Sequence, residues 1–173
     1  APTITSGGTA SAIAENSGAG QVVYTVTSDD SADVSGGVSY TLGGTDAALM
    51  SIDSASGAVT LTGNPDEESQ ASYAFTVTAT DAASNSSEQA VTLSVTDLDE
   101  VAPTITSGAS ATVLDYQSVI YTVVADDSAD VSSGVSFSLE AGVGDEGILS
   151  IDNSTGVVSL ASGVTSNADK SSF

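Results

Sequence analysis

The chain has 173 residues, of which 23 are Asp or Glu and only one is Lys or Arg, so its formal net charge is −22. A charge of that size repels nucleic-acid phosphates and anionic membrane surfaces, which nearly excludes both as partners. Cys and His are absent, which excludes disulfides, thiol catalysis, zinc–thiolate sites and His-based acid–base chemistry. Oxygen is the ligand atom that remains, and carboxylate oxygens favour hard cations, above all Ca2+.

Short β-strands are the elements that the residue pattern predicts, because apolar and polar residues alternate with period two. In chain order, the first repeat of the sequence gives strands at Thr3 to Ser6, Ala10 to Ala14, Gln21 to Thr27, Val38 to Leu42, Leu49 to Ile52, Ala58 to Thr62, Tyr73 to Thr80 and Gln89 to Thr96. Gly, Asn, Asp and Ser fill the turns between them. The predicted fold class is all-β, an immunoglobulin-like β-sandwich without the Trp and Cys of antibody domains.

Targeting signals are missing from the sequence. No stretch approaches the roughly eighteen continuous apolar residues of a membrane helix. Residues 1–20 also lack the basic start of a signal peptide. We interpret the chain as a piece of a secreted protein, with no membrane insertion in this segment.

An internal repeat of about a hundred residues organises the chain. The motif APTITSG at Ala1 returns at Ala102, and the motifs DDSADVS and SIDSASGAVTL also return in the second copy. We predict a complete sandwich repeat at residues 1–101 and a second repeat at residues 102–173 that lacks its last strands. Two explanations stay open: the sequence stops short of those strands, or another chain supplies them.

Acidic motifs follow one another in a fixed order along the first repeat. They are Glu15 in AENSG, the pair Asp66 and Glu68 ahead of Tyr73, Asp81 in TATD, and a linker with Asp97, Asp99, Glu100, Val101 and Pro103. An Asp-rich loop, DDSADVSSG, follows in the next repeat. These motifs resemble the cadherin-like repeats that occur in tandem in large calcium-dependent bacterial surface adhesins of the RTX type. The resemblance extends over residues 1–101 and most of the second copy.

The resemblance implies a cluster of Ca2+ ions shared at the junction of the two repeats. Ca2+ takes six to eight oxygen ligands, so several loops must supply them together. The implied ligands are Glu15, Asp66, Glu68, Asp97, Asp99, Glu100, the backbone carbonyl of Val101, Asp126, Asp127 and Asp130. The second copy departs from the family pattern, with Ser128 in place of the second Asp of an Asp-Ala-Asp motif and Asp115 in place of Glu15.

The function that follows is structural. We predict an extracellular calcium-binding extender module of a secreted or bacterial surface adhesin, in which Ca2+ between neighbouring repeats of the chain stiffens them for cell adhesion. The alternative is a module that binds carbohydrate or a like domain, for which Tyr116, with no aromatic counterpart in the first copy, is the indication. An enzyme is not expected, because the paired acids lie in loops and few aromatic residues are present to bind a sugar ring.

Overall fold

The computed structural model describes residues 1–32, 36–112, 117–142 and 147–161. The chain divides into two compact units, Ala1–Leu98 and Asp99–Phe173, called unit 1 and unit 2 below. Within the described residues the regular structure is β-sheet, with a 3₁₀ turn at Ala47–Leu49 and no α-helix. The predicted all-β fold class is confirmed.

The described residues of unit 1 form nine strands, which make two sheets and one separate pair. The strands are β1 (Thr3–Ile4), β2 (Ile13–Ala14), β3 (Gln21–Thr25), β4 (Ser28–Asp29), β5 (Val38–Gly43), β6 (Met50–Ile52), β7 (Ala58–Leu61), β8 (Ser72–Asp81) and β9 (Ser86–Thr96). The larger sheet has the order β2-β9-β8-β5, and the smaller has the order β3-β7-β6. Strand β2 runs parallel to β9, whereas the other neighbours are antiparallel.

The core of unit 1 lies between its two sheets and is built mainly by alternation along the strands, which a register shift interrupts on β3, where Val23 and Tyr24 are both buried. On β8 the inward residues include Phe75 and Val77, which are 3% and 0% exposed, and each fully buried apolar side chain of this size contributes about 1.5–3 kcal/mol. From the smaller sheet, Tyr24 on β3 packs its ring edge to face against that of Phe75, with the ring centroids 6.0 Å apart. The aromatic pair therefore joins the two sheets across the core.

Unit 2 repeats only part of this arrangement in its described residues. Its strands are β10 (Thr104–Ile105), β11 (Val119–Thr122), β12 (Ala125–Asp126), β13 (Leu149–Ile151) and β14 (Val157–Leu160). The sheet β11-β14-β13 matches β3-β7-β6, and the pair β10-β12 matches β1-β4. The described residues of unit 2 form no counterpart of β5, β8 or β9.

Some strand boundaries differ from the predicted ones. The two-residue strand β4 was not predicted, because pairing with β1 rather than any local alternation defines it. The strand predicted at Ala10 to Ala14 is regular only at Ile13–Ala14, after an isolated parallel bridge from Thr9 to Thr92. Strand β9 begins at Ser86 rather than Gln89, because Ser86 still pairs with Thr80 across the hairpin.

Two further findings concern membrane-spanning helices and two residues of the second repeat. No helix in the described ranges is long and apolar enough to cross a membrane. The predictions made for Asp115 and Tyr116 fall outside the described residues.

Candidate functional site

A buried carboxylate marks the end of unit 1 from which the chain leaves it. Glu15 follows strand β2 directly and is only 1% exposed. Its Oε2 accepts a hydrogen bond from the backbone N–H of Glu67 (2.8 Å), and its Oε1 accepts one from the N–H of Leu98 (2.5 Å). These two amides compensate part of the large cost of removing a carboxylate from water. Glu15 therefore holds together three segments that are distant in sequence.

Three more acids gather beside Glu15 within unit 1. Glu67, Glu68 and Asp97 each offer a carboxylate oxygen, and these oxygens lie within 4.8 Å of one another. Oxygens of Glu15 and Glu68 also lie within 4.8 Å of each other. Asp97 immediately follows strand β9, and its Oδ1 is buried. Strand ends and one turn thus bring carboxylates from three parts of the chain to one place.

The turn ahead of β8 contains both a predicted ligand and an unpredicted one. Asp66 Oδ1 accepts the backbone N–H of Ser69 (2.9 Å), and the Asp66 carbonyl accepts the N–H of Gln70 (3.0 Å), so this residue stabilises the turn. Asp66 is not one of the three acids whose oxygens cluster. Glu67, which the sequence motif passes over as the middle residue of Asp-x-Glu, is one of them.

In unit 2, the linker acids contact the Asp-rich loop. The backbone N–H of Glu100 donates to Asp130 Oδ2 (2.8 Å), and the N–H of Ser133 donates to Asp99 Oδ2 (3.0 Å). The loop and the linker, about thirty residues apart in sequence, are therefore joined by two charge-assisted hydrogen bonds. Val101, the predicted carbonyl ligand, is 44% exposed.

The other two loop acids take part in local hydrogen bonds. Asp126 ends strand β12, and its Oδ1 accepts the N–H of Ser128 (3.1 Å). Hydrogen bonds from the side chain and then the backbone of Ser128 lower the pKa of Asp126 below its ordinary value of 3.8. Asp127 Oδ2 accepts a hydrogen bond from the hydroxyl of Ser132. At neutral pH Asp126 is therefore ionised, as a metal ligand must be.

The chemistry of these donor sets fits calcium. Ca2+–oxygen distances are roughly 2.3–2.6 Å, so two ligands of the same ion lie at most about 5 Å apart. The 4.8 Å limit within the Glu67, Glu68 and Asp97 cluster meets that requirement. All of the donors are oxygens, mostly carboxylates, which suits a hard cation better than a transition metal.

Comparison with known families decides the identity of the fold. The Cadherin domain family matches residues 9–96. The chain belongs to the cadherin domain family. This match covers the sandwich of unit 1 from the residues ahead of β2 to the end of β9, including Glu15 and the turn that contains Glu67 and Glu68.

Solved cadherin structures share the fold. The chain is similar to human protocadherin-24 EC1-2 with 22% identity, a TM-score of 0.71, and coverage of 98% of this chain and 80% of that one. It is also similar to the protocadherin GammaB4 extracellular domain, with 24% identity, a TM-score of 0.63, and coverage of 93% of this chain and 29% of that one. For mouse cadherin-23 EC22-24 the identity is 24%, the TM-score is 0.62, and the coverage is 92% of this chain and 53% of that one. The chain thus spans less than a third of the protocadherin GammaB4 structure. No curated protein matches the sequence.

Membership in the family supports the general class of the module, though not its ligands. Cadherin domains are extracellular modules of the adhesion type, and they are a structural fold rather than an enzyme family. Cadherin domains in general bind Ca2+.

Proposed function

We propose that this cadherin-type chain is a calcium-binding extender module of a secreted or cell-surface adhesin of the bacterial RTX type. The observation that supports this function best is the cluster of Glu67, Glu68 and Asp97 beside the buried Glu15. With a net charge of −22, the chain has almost no Lys or Arg to neutralise such a cluster. A divalent cation is the natural counterion.

The proposed ligands come from both units. In unit 1 they are Glu15, Asp66, Glu68 and Asp97, with Glu67 added from the structure. In unit 2 they are Asp99, Glu100, Val101, Asp126, Asp127 and Asp130. The two sets are consecutive in the chain, because Asp97 belongs to the first and Asp99 to the second. That continuity supports the proposal that both sets contribute to the same group of ions.

Charge repulsion explains why calcium would stiffen the linker. Two carboxylates about 5 Å apart repel each other by about 1 kcal/mol even in water. Bound Ca2+ replaces this repulsion with attraction, and at ten times its dissociation constant each ion stabilises the ordered form by about 1.4 kcal/mol. Extracellular modules bind Ca2+ with dissociation constants of roughly 10⁻⁴ to 10⁻³ M, which suits a medium containing millimolar calcium. Consecutive repeats would then act as a rod that provides reach.

Thermal melting of the full chain tests the calcium proposal. We expect the melting temperature to rise when millimolar Ca2+ replaces chelator, and to rise less with Mg2+, which demands a stricter octahedral geometry. The double variant Glu67→Gln/Glu68→Gln should lose most of the calcium-dependent rise. A single variant, Glu88→Gln, removes an exposed acid on β9 and should keep the rise. Equal melting temperatures of the parent chain in Ca2+ and in chelator would contradict the proposal.

Small-angle scattering tests the mechanical part separately. If calcium stiffens the linker, the distribution of maximum dimensions should narrow when Ca2+ is added to the parent chain. The Glu67→Gln/Glu68→Gln variant should keep the broad distribution in both conditions. If calorimetry shows that the parent chain binds Ca2+ but the scattering does not change, the calcium site stands and the proposed stiffening of the linker is contradicted.

The alternative function, binding of carbohydrate or of a like domain, depends on Tyr116, which lies outside the described residues. Sedimentation in Ca2+ and a glycan array distinguish it from the extender function. An extender module should stay monomeric and retain no glycan.

The bacterial surface context is tested by labelling intact cells that make the protein with an antibody against unit 1.

A further inference from the structure

Glu15 has a second role that does not depend on metal. We propose that Glu15 is a positioning residue, which clasps the Glu67 turn and the start of the linker at Leu98 to the end of unit 1 before any ion binds. The inference deepens the proposed calcium site, because the clasped segments are those that contain its ligands. The clasp itself consists of hydrogen bonds within unit 1, so it is testable in the absence of calcium.

The contacts of the clasp are specific to each carboxylate oxygen. Oε2 accepts the N–H of Glu67, 52 residues away in sequence, and Oε1 accepts the N–H of Leu98, 83 residues away. The backbone repeats the same connections, because the N–H of Glu15 donates to the carbonyl of Thr96 (3.0 Å) and the N–H of Asn16 donates to the carbonyl of Pro65 (2.9 Å). Each distant segment is thus held by a bond to the Glu15 side chain and by a backbone bond of Glu15 or Asn16.

Burial makes these bonds strong and selective. The side chain is 1% exposed, so water competes little for its oxygens. An ionised carboxylate accepts hydrogen bonds but donates none, and the partners that it meets here are backbone N–H groups. A glutamine at the same place presents one acceptor oxygen and one NH₂ donor, so it satisfies only one of the two amides.

The clasp and a metal ion are compatible at the same carboxylate. Its two oxygens offer about four acceptor positions, of which the two amides occupy one each. The remaining positions leave room for a cation, and a carboxylate oxygen of Glu68 lies within 4.8 Å. The clasp also opposes the mutual repulsion of the clustered acids, since it holds the segments that carry Glu67, Glu68 and Asp97 in place. Ligands positioned in advance lose less conformational freedom when an ion binds.

Amide hydrogen exchange in chelator tests the clasp on the full chain. In Glu15→Gln, we expect the amide of Leu98 or of Glu67 to exchange about tenfold faster or more, and in Glu15→Ala we expect both to do so. The amides of Phe75 and Val91, in the core of the same unit, should keep their rates. Asp46→Asn is the matched control, because Asp46 Oδ2 accepts the N–H of Ala74 (2.7 Å) in the same manner, and its effect should be confined to Ala74.

The possible outcomes separate a positioning role from a structural one. Unchanged exchange at both Leu98 and Glu67 in the two Glu15 variants would overturn the clasp. Acceleration by the same factor at Phe75 and Val91 would show that Glu15 merely supports overall stability, which also overturns it. If Glu15→Ala does not fold, the nearly isosteric Glu15→Gln decides alone. Because no calcium is present, failure of the proposed calcium site leaves this result unaffected, and failure of the clasp leaves the calcium melts unaffected.

Discussion

Units 1 and 2 have the same residues at key positions of their three-stranded sheets, but the two units bury them to different extents. Leu61 on β7 is 2% exposed, whereas Leu160, at the matching position of β14, is only partly buried. Tyr24 and its counterpart Tyr121 differ in the same way. Residue type is identical in each pair, and in unit 1 the matching positions pack against the sheet of β2, β9, β8 and β5, for which the described residues of unit 2 form no counterpart of β5, β8 or β9.

Local structure is nevertheless the same in the two units. Strands β6 and β7 in unit 1 and β13 and β14 in unit 2 pair in matching registers. The N–H of Tyr40 donates to Ser54 (3.0 Å), and the N–H of its counterpart Phe137 donates to Asn153 (2.9 Å). The hairpins therefore depend on their own sequence, whereas core burial depends on strands from elsewhere in the chain.

The largest expected difference comes from truncating the same leucine in each unit. Leu61→Ala should lower the free energy of unfolding of unit 1 by about 2–5 kcal/mol, because it leaves a cavity in a closed core. Leu160→Ala should cost unit 2 about 1 kcal/mol or less, because its side chain is already partly exposed. Urea titration followed by NMR resolves the two units residue by residue.

The outcome of this pair has a direct interpretation. Equal losses in the two variants would mean that Leu160 is covered as completely as Leu61, contrary to the difference in burial. Val22→Ala provides a reference, since Val22 is 61% exposed on β3 and its truncation should change stability little.

A smaller and more symmetric effect is expected at the glycine of the β6–β7 and β13–β14 hairpins. Gly57 and Gly156 have φ values of 73° and 68°. A Cβ on Gly57 would lie 2.7 Å from the carbonyl oxygen of Val26, and one on Gly156 would collide with the carbonyl oxygen of Val123. Gly57→Ala and Gly156→Ala should each cost about 1–3 kcal/mol in their own unit.

A nearby glycine serves as the control for this pair. Gly63 has no atom within 4 Å of an added Cβ and no positive φ, so Gly63→Ala should be close to neutral. If Gly57→Ala destabilised unit 1 while Gly156→Ala left unit 2 unchanged, the hairpin would depend on the complete sandwich, and the distinction between local structure and core burial would fail.

Much of the fold was predictable because apolar residues alternate with small or polar ones along the strands. Tyr73, Phe75 and Val77 alternate with the small residues Ala74 and Thr76, and they are buried in the core as expected. The features that were missed depend on pairing between distant segments. Strand β4 has two residues and no pattern of its own, and its existence follows from its register with β1.

The candidate site shows the same division between local and distant information. The sequence supplied Glu15, Glu68 and Asp97 through motifs, and the structure brings these acids to one end of unit 1. Glu67 was missed because the Asp-x-Glu motif passes over its middle residue, whose carboxylate the turn brings close to that of Asp97, thirty positions further along the chain. Its only signal was an unbroken acidic run, DEE.

The smallest expected effect is a pH dependence shared by the two hairpin turns. Asp53 accepts the N–H of Ser56 and Asp152 accepts that of Thr155, at 2.7 and 2.8 Å, and these bonds lower the pKa of each carboxyl below its ordinary value of 3.8. A lowered folded-state pKa gives stability that is present above the unfolded-state pKa and is lost as the pH falls through the folded-state value. We therefore expect both turns to weaken only below about pH 3.8.

Carbon-detected NMR titration of the side-chain carboxyls measures this effect, and the urea-unfolded chain supplies the unperturbed midpoints. In the folded chain both midpoints should lie below those references. Because each turn is closed by its own backbone amides, the shift should have the same direction in the β13–β14 turn of unit 2 as in the β6–β7 turn of unit 1. A shift at Asp53 alone would instead mean that the opposing sheet, and not the local sequence, holds the turn in shape.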